Sequence, residues 1–226
     1  VKKLKGVIPV IVGTGSNSTA AAIENSVQAE KLGADAILVV TPYYNKATQA
    51  GLIAHYTAIA DAVNIPIICY NVPGRTGVNL LPATFAKIAE HRNIAAIKEA
   101  SGNMEQIEEA IRLSEGKAVV YSGDDGITVP LMAMGGMGVI SVASNVAPKF
   151  TSDMTSAMLD GDLAKAAAMQ LRMLPFVRAL FCEVNPIPVK KAAQLKGLCN
   201  GIVRLPLTEM TEENAAKLAA MLPDFD

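Results

Sequence analysis

"NIAAIKEASG", residues 93–102, sets a short oily run against a lysine and a glutamate at its end. Ile94, Ala95, Ala96 and Ile97 are apolar without alternation, the pattern of a strand covered on both faces, and a helical stretch, "NMEQIEEAIRLSEG" (103–116), follows. The same unit recurs along the chain. Strand-like runs stand at "VIPVIV" (7–12), "AILVVT" (36–41), "IPIICY" (65–70), "IAAIK" (94–98), "AVVYS" (118–122) and "GVISV" (138–142). Between them lie helical stretches at "STAAAIENSVQAEKLG" (18–33), where Gly33 fits the residue just past a helix end, "TQAGLIAHYTAIADAV" (48–63), "LPATFAKIAEH" (81–91) and "TVPLMAMG" (128–135), with another helix from about residue 147. Strand and helix alternate at roughly 20 to 30 residues per unit, which predicts βαβ units and a parallel sheet.

Two architectures compete for such a chain. A doubly wound sheet needs a glycine-rich nucleotide turn after its first strand. "GTGSNS" (13–18) offers GxG but has serine at the third glycine position and no P-loop lysine, so a plain strand-to-helix turn capped by Ser18 or Thr19 is the better reading. A (β/α) barrel instead collects polar and reactive residues where strands end. Thr41-Pro42-Tyr43-Tyr44, Tyr70-Asn71, Lys98-Glu99, Ser122-Gly123-Asp124-Asp125 and Ser141 all stand at such ends. The expected fold is therefore α/β of the TIM (β/α)8 barrel class with six βα units visible. Residues 1–160 form the incomplete barrel and 161–226 a C-terminal helical region, with helices at "DLAKAAAMQLRMLPFVRALF" (162–181), from "NPIP" to about residue 196, and at "TEENAAKLAAML" (211–222).

Composition narrows the function. The chain has 226 residues, 51% of them apolar, enough for one large core. Twenty basic residues against twenty-one acidic give a formal charge of -1, so no global field favours nucleic acid or an anionic membrane, and a small-molecule partner is expected. Cys69, Cys182 and Cys199 are odd in number and widely spaced, and His55 and His91 lack HExxH spacing. Neither a disulfide framework nor a metal centre is predicted, and no cofactor. The apolar segments are short, and "VKKLKGVIPVIVGTG" (1–15) lacks the long apolar core and cleavage site of a signal peptide, so a soluble, cytoplasmic protein is expected. Position 1 is Val, and a strand-like run begins within a few residues of it.

Lys98 is the residue with chemistry to offer. A lysine that follows an apolar strand is partly desolvated, which lowers an amine's pKa and leaves more neutral nucleophile for a Schiff base with a carbonyl compound. The competing reading is a strand-end lysine that pairs with Glu99 or reaches solvent. Context weighs on the choice, because "YNVPGRTG" (70–77) closes the preceding strand. It brings a tyrosine able to pass a proton and, in Arg75, a fork for a carboxylate. "TPYYN" (41–45) adds a tyrosine pair one strand earlier, although such pairs commonly serve packing.

"TPYYN", "YNVPGRTG", "IKEASGN" (97–103), "YSGDD" (121–125), "GGMGVISV" (135–142) and "NPIPVKKA" (185–192) stand in an order and spacing that span almost the whole chain. In them the chain resembles the dihydrodipicolinate synthase and N-acetylneuraminate lyase family of pyruvate-dependent class I aldolases. It is closer to the synthase branch because of the arginine in "VPGRTG". The resemblance implies that Lys98 forms a Schiff base with pyruvate and that Tyr70 is the proton donor and acceptor beside it. Tyr44 would be a second relay tyrosine reaching into a neighbouring subunit of a homo-oligomer. By the same resemblance Arg75 holds the carboxylate of aspartate β-semialdehyde, and Gly123 and Ile140 line the pyruvate pocket. The implied activity is a lyase of lysine and diaminopimelate biosynthesis, without cofactor.

The family barrel has eight strands and carries "GTTGE" in the part that would precede Val1. Two units of about 30 residues, roughly 60 in all, are thus expected beyond the six visible here. A second expectation follows from that: a silent homologue that keeps the family surfaces and acts as an interaction subunit. A third keeps the chemistry with a sugar-acid aldehyde. Family members inhibited by lysine use an acidic residue where this chain has Ala21, while Asn17 and Tyr43 match that site, so weak or absent lysine inhibition is expected.

Overall fold

The computed structural model describes residues 1–225. Five parallel strands form one sheet in sequential order: β1 (Ile11–Gly13), β2 (Ala36–Val40), β3 (Ile67–Asn71), β4 (Ile94–Glu99) and β5 (Val119–Ser122). Helices α1 (Thr19–Lys31), α2 (Gln49–Ala62), the short α3 (Pro73–Thr76) with α4 (Pro82–Ile88), and α5 (Met104–Ser114) make the crossovers. The chain then continues into α6 (Thr128–Ala133), α7 (Pro148–Leu159), α8 (Leu163–Leu180), α9 (Ile187–Leu195) and α10 (Glu212–Met221).

Local chemistry explains the boundaries. Ser18, Thr48 and Asn103 cap α1, α2 and α5 by accepting the N–H groups of Ala21, Gly51 and Gln106, which would otherwise have no partner. Gly33 ends α1 in the left-handed region at φ 85°, and the N–H groups of Gly33 and Ala34 close on the carbonyls of Glu30 and Ala29.

Two strand expectations are corrected. The run at 7–12 becomes a strand only from Ile11, because residues 2–7 are turns closed by bonds such as Leu4 N–H to Val1 C=O at 2.9 Å, and Pro9 has no N–H for a ladder. The run at 138–142 is not a sixth strand but an isolated bridge at Val139. Before it, Met137 N–H reaches Val120 C=O and Ser122 N–H reaches Gly138 C=O, so the chain runs beside β5 for only two residues. Gly138, at φ 145°, lies outside the extended geometry that a longer pairing requires.

The described chain divides into two compact units. The first comprises Val1–Gly123 with Met134–Gly138, and the second comprises Asp124–Ala133 with the chain from Val139 onward. The sequence places a boundary at residue 160, where strands give way to helices. The units part earlier because Val129, Ala143, Val146 and Ala147 pack into the same cluster as the later helices.

In the first unit Ile37, Val39, Ile67, Cys69, Ile97 and Val120 of the sheet are buried, as are Leu52, Tyr56, Ile59, Phe85 and Ile107 of the helices. Tyr56 keeps its buried hydroxyl satisfied by donating to Val39 C=O at 3.0 Å. The second unit centres on Phe176, stacked on Phe225 at 4.6 Å, with Phe150 edge-on to Phe225 at 5.1 Å and Met154, Met173, Leu180 and Leu218 around them. Gln170 of α8 donates to Asp125 C=O and accepts Val129 N–H, tying α8 to the start of α6. Among the described residues no helix is long and apolar enough to cross a membrane.

Phe176 is 1% exposed, so its truncation leaves a cavity that the stacked ring cannot fill. Phe176→Ala is expected to cost about 3–5 kcal/mol in urea unfolding. A loss below about 1 kcal/mol would mean that this aromatic cluster does not organise the unit.

Candidate active site

Residue pairing along the sheet arranges the site. Tyr70 stands opposite Val40 on one side and Lys98 on the other, and Lys98 stands opposite Tyr121. Register partners in a parallel sheet project to the same face, so these four side chains form one row, and all four are half-buried. The next residue on each strand projects to the opposite face. Thr41, Asn71, Glu99 and Ser122 are at most 1% exposed there.

The Lys98 amine lies over the Tyr70 ring, 4.2 Å from its centroid, a contact that favours a cation over an aromatic face by about 1 kcal/mol. Gly123 supports the lysine stem. A Cβ built on Gly123 would come within 3.0 Å of Lys98 Cε, 3.1 Å of Lys98 Cγ and 2.7 Å of Ala100 Cβ, so any larger residue would push the amine out of place. Gly123 N–H also donates to Glu99 C=O at 2.7 Å, extending the β4–β5 pairing beyond the strand.

Burial raises the Tyr70 pKa above that of a free phenol, while the charge of Arg75 acts against that rise. Arg75 belongs to α3, whose last turn ends in Gly77 at φ 76°. The loop is held from within by Thr76, whose hydroxyl donates to Val78 C=O at 3.0 Å and lies 3.3 Å from the Thr41 hydroxyl. Tyr44 is positioned by its backbone, since its N–H donates to Thr76 C=O at 3.0 Å. Its φ is 75°, and its side chain is 88% exposed.

Lys98 thus lies against the Tyr70 ring and beside Gly123, and Arg75 is close enough to act on Tyr70 through its charge. Tyr44 occupies the neighbouring strand end and turns outward. Ile140 belongs to the second unit and is half-buried there.

The pairing of Lys98 with Glu99, considered from the sequence, is not found. Successive residues of a strand face opposite ways, and Glu99 instead accepts the Asn71 side-chain N–H at 2.9 Å and the Ser101 backbone N–H at 2.6 Å. In the second unit Asp125 is likewise buried. It accepts the Ser141 hydroxyl, the Val142 N–H at 2.9 Å and the Ala143 N–H at 3.2 Å, which fixes the turn that follows Ile140. The sequence reading assigns no part to Asn71 or to Asp125; the only available signal is a polar residue directly after a residue with chemistry to offer. Among the described residues no three His, Cys, Asp or Glu side chains are grouped as a metal site. Cys69 is a buried free thiol, and Cys182 and Cys199 are exposed free thiols.

Removing the Arg75 charge should let Tyr70 titrate still higher, because the guanidinium is the group opposing the burial effect. Alkaline titration of Arg75→Ala by phenolate absorbance, taken as a difference against the same variant carrying Tyr70→Phe, is expected to show an upward shift of the Tyr70 midpoint. An unchanged midpoint would show that the arginine does not act on that phenol.

Comparison with known proteins places the chain in a family. The sequence pattern of the Dihydrodipicolinate synthetase family matches residues 1–224. The chain is 56% identical over 218 residues to a 4-hydroxy-tetrahydrodipicolinate synthase of Geobacter sulfurreducens, covering 96% of this chain and 75% of that protein. It superposes on the dihydrodipicolinate synthase of Aquifex aeolicus with a TM-score of 0.97 at 45% identity, over 100% of this chain and 77% of the other. The chloride-inhibited dihydrodipicolinate synthase of Acinetobacter baumannii, solved with pyruvate, gives a TM-score of 0.94 at 46% identity, over 99% and 77% of the two chains.

Proposed function

The chain belongs to the dihydrodipicolinate synthetase family, and we infer that it is a lyase carrying out the reaction for which its relatives are named, 4-hydroxy-tetrahydrodipicolinate synthesis on the path to lysine and diaminopimelate. Its fold is of the TIM-barrel type, as in the solved relatives.

The substrates are pyruvate and aspartate β-semialdehyde. The Lys98 amine adds to the keto carbon of pyruvate, and the carbinolamine loses water to give an imine. Proton loss from the methyl group yields an enamine whose carbon attacks the aldehyde. The amino group of the second substrate then closes the ring on the imine carbon and releases Lys98. Tyr70 moves protons in these steps, since a phenol held protonated at neutral pH can donate to a departing hydroxyl and recover the proton later. Arg75 holds the carboxylate of the aldehyde, and Gly123 bounds the pyruvate site beside the Lys98 stem. Tyr44, turned outward, serves as a relay tyrosine for a second copy in a homo-oligomer. The reaction uses soluble metabolites, and we place it in the cytoplasm.

The single observation that carries this reading is the Lys98 amine 4.2 Å from the Tyr70 ring centroid, at the carboxyl ends of adjacent parallel strands. Incubation with pyruvate followed by borohydride is expected to leave a stable adduct that peptide mass mapping assigns to Lys98, and Lys98→Arg should abolish it. Adduct on another lysine would overturn the assignment. The first turn of α1 carries no acidic residue, and Asn17 and Tyr43 alone do not supply an anion for an ammonium group. Free lysine is accordingly expected to leave turnover unchanged, and inhibition at low lysine concentration would contradict this.

A further inference from the structure

Asn71 and Glu99 sit directly after Tyr70 and Lys98, on the face away from them, and the proposed reaction gives neither a part. Both are fully enclosed, and none of the ion pairs among the described residues involves Glu99. A carboxylate so placed depends on its hydrogen bonds, and these lead outward as a chain. Asn71 Nδ2 donates both to Glu99 Oε2 at 2.9 Å and to Asn79 Oδ1 at 2.8 Å, while Asn71 Oδ1 accepts Leu80 N–H at 2.9 Å. Asn79 and Gln106 exchange amide bonds of 2.7 and 3.1 Å. Gln49 Nε2 donates to Asn79 C=O at 2.8 Å, and Gln49 Oε1 accepts Leu81 N–H at 3.2 Å. Residue 71 is therefore bonded to 79 and 80, and the loop 72–78, which carries Arg75, is clamped at both ends.

We propose that Glu99, acting through Asn71, Asn79 and Gln106, is a positioning residue that fixes the Arg75 loop and thereby sets how well the site holds the carboxylate of the aldehyde substrate. The directionality of the bonds supports this. Glu99 can only accept, which commits the Asn71 amide to donate and leaves its oxygen for Leu80 N–H. Tyr70 and Lys98 are held separately by the sheet ladder, so the clamp governs Arg75 and not the Schiff-base step. The inference rests on the role given to Arg75 above.

Glu99→Gln removes one acceptor and turns an N–H toward another donor. The pyruvate adduct on Lys98 is expected to form within about threefold of the parent rate, while half-saturation by aspartate semialdehyde rises about tenfold or more, the scale of one lost hydrogen bond to a charged group. Asn71→Asp alone, which sets two carboxylates face to face, should do the same. The double variant Asn71→Asp/Glu99→Gln reverses the side-chain bonds from 71 to 99 and from 71 to 79 and leaves acceptors for the N–H groups of Ser101 and Leu80, since the amides of Asn79 and Gln106 can turn over to match, and should restore half-saturation to within about threefold. Gln106→Ala, at a half-buried site, cuts only the outer link and should shift half-saturation in the same direction by a smaller factor. Amide exchange of residues 72–81 should rise in the single variants and recover in the double. Parental half-saturation in Glu99→Gln, or loss of the pyruvate adduct in step with aldehyde use, would overturn the proposal. If the parent itself forms no adduct, the lyase reading falls, and the exchange measurement decides this one: unchanged protection of 72–81 in Glu99→Gln and Gln106→Ala refutes it.

Discussion

The site depends on a single step in the register between β3 and β4. Ile67 pairs with Ile94, but Ile68 pairs with Ala96, so Ala95 is left over. Had the first pairing continued, Tyr70 would stand opposite Ile97 and Asn71 opposite Lys98. The tyrosine would then face an aliphatic side chain, and the lysine would share the closed face with Asn71. One extra residue exchanges the two rows, as expected where the side-chain period is two. Ala95 is exposed, and its small side chain suits a position that no neighbouring strand covers.

With that register set, the carboxyl end of the sheet has two faces with different tasks. Val40, Tyr70, Lys98 and Tyr121 are half-open on one side, where a small molecule can reach the amine. Thr41, Asn71, Glu99 and Ser122 are closed off on the other. A buried polar row costs desolvation unless every group finds a partner, so it persists only where its bonds are specific. Glu99 and Asp125 solve this alike. Glu99 accepts one backbone N–H, that of Ser101, and the Asn71 side chain, while Asp125 accepts two, those of Val142 and Ala143, and the Ser141 hydroxyl. A cation is not needed because several aligned donors spread the charge.

Much of this is legible in the sequence, and the failures have physical causes. The four central strand runs and all the long helices follow from apolar periodicity and caps, because burial on both faces leaves no other use for such segments. The runs at 7–12 and 138–142 mislead because apolar content alone cannot reveal a missing N–H at Pro9 or a positive φ at Gly138. Lys98 and Tyr70 stand out since each is a polar end to an oily run. Glu99 does not, because in sequence it looks like the natural partner of Lys98, and only strand geometry shows that adjacent residues point apart. The partners of the Asn71 side chain lie eight, nine and twenty-eight positions away, and no local pattern announces them.

Gly123 shows how tightly the arrangement is drawn. Glycine is often explained by a backbone angle that other residues avoid, but Gly123 is not among the positive-φ glycines. The requirement is space: the backbone after β5 passes so close to β4 that a methyl group would overlap both Ala100 and the stem of Lys98. That close passage is itself enforced by Gly123 N–H bonding Glu99 C=O at 2.7 Å. The backbone of β4 is thus held by its ladders to β3 and β5, the Glu99 carbonyl extending the second of them, and Lys98 is the residue immediately before Glu99. A flexible four-carbon amine gains a defined position because the backbone beneath it is pinned from both sides and the wall beside it has no side chain to yield.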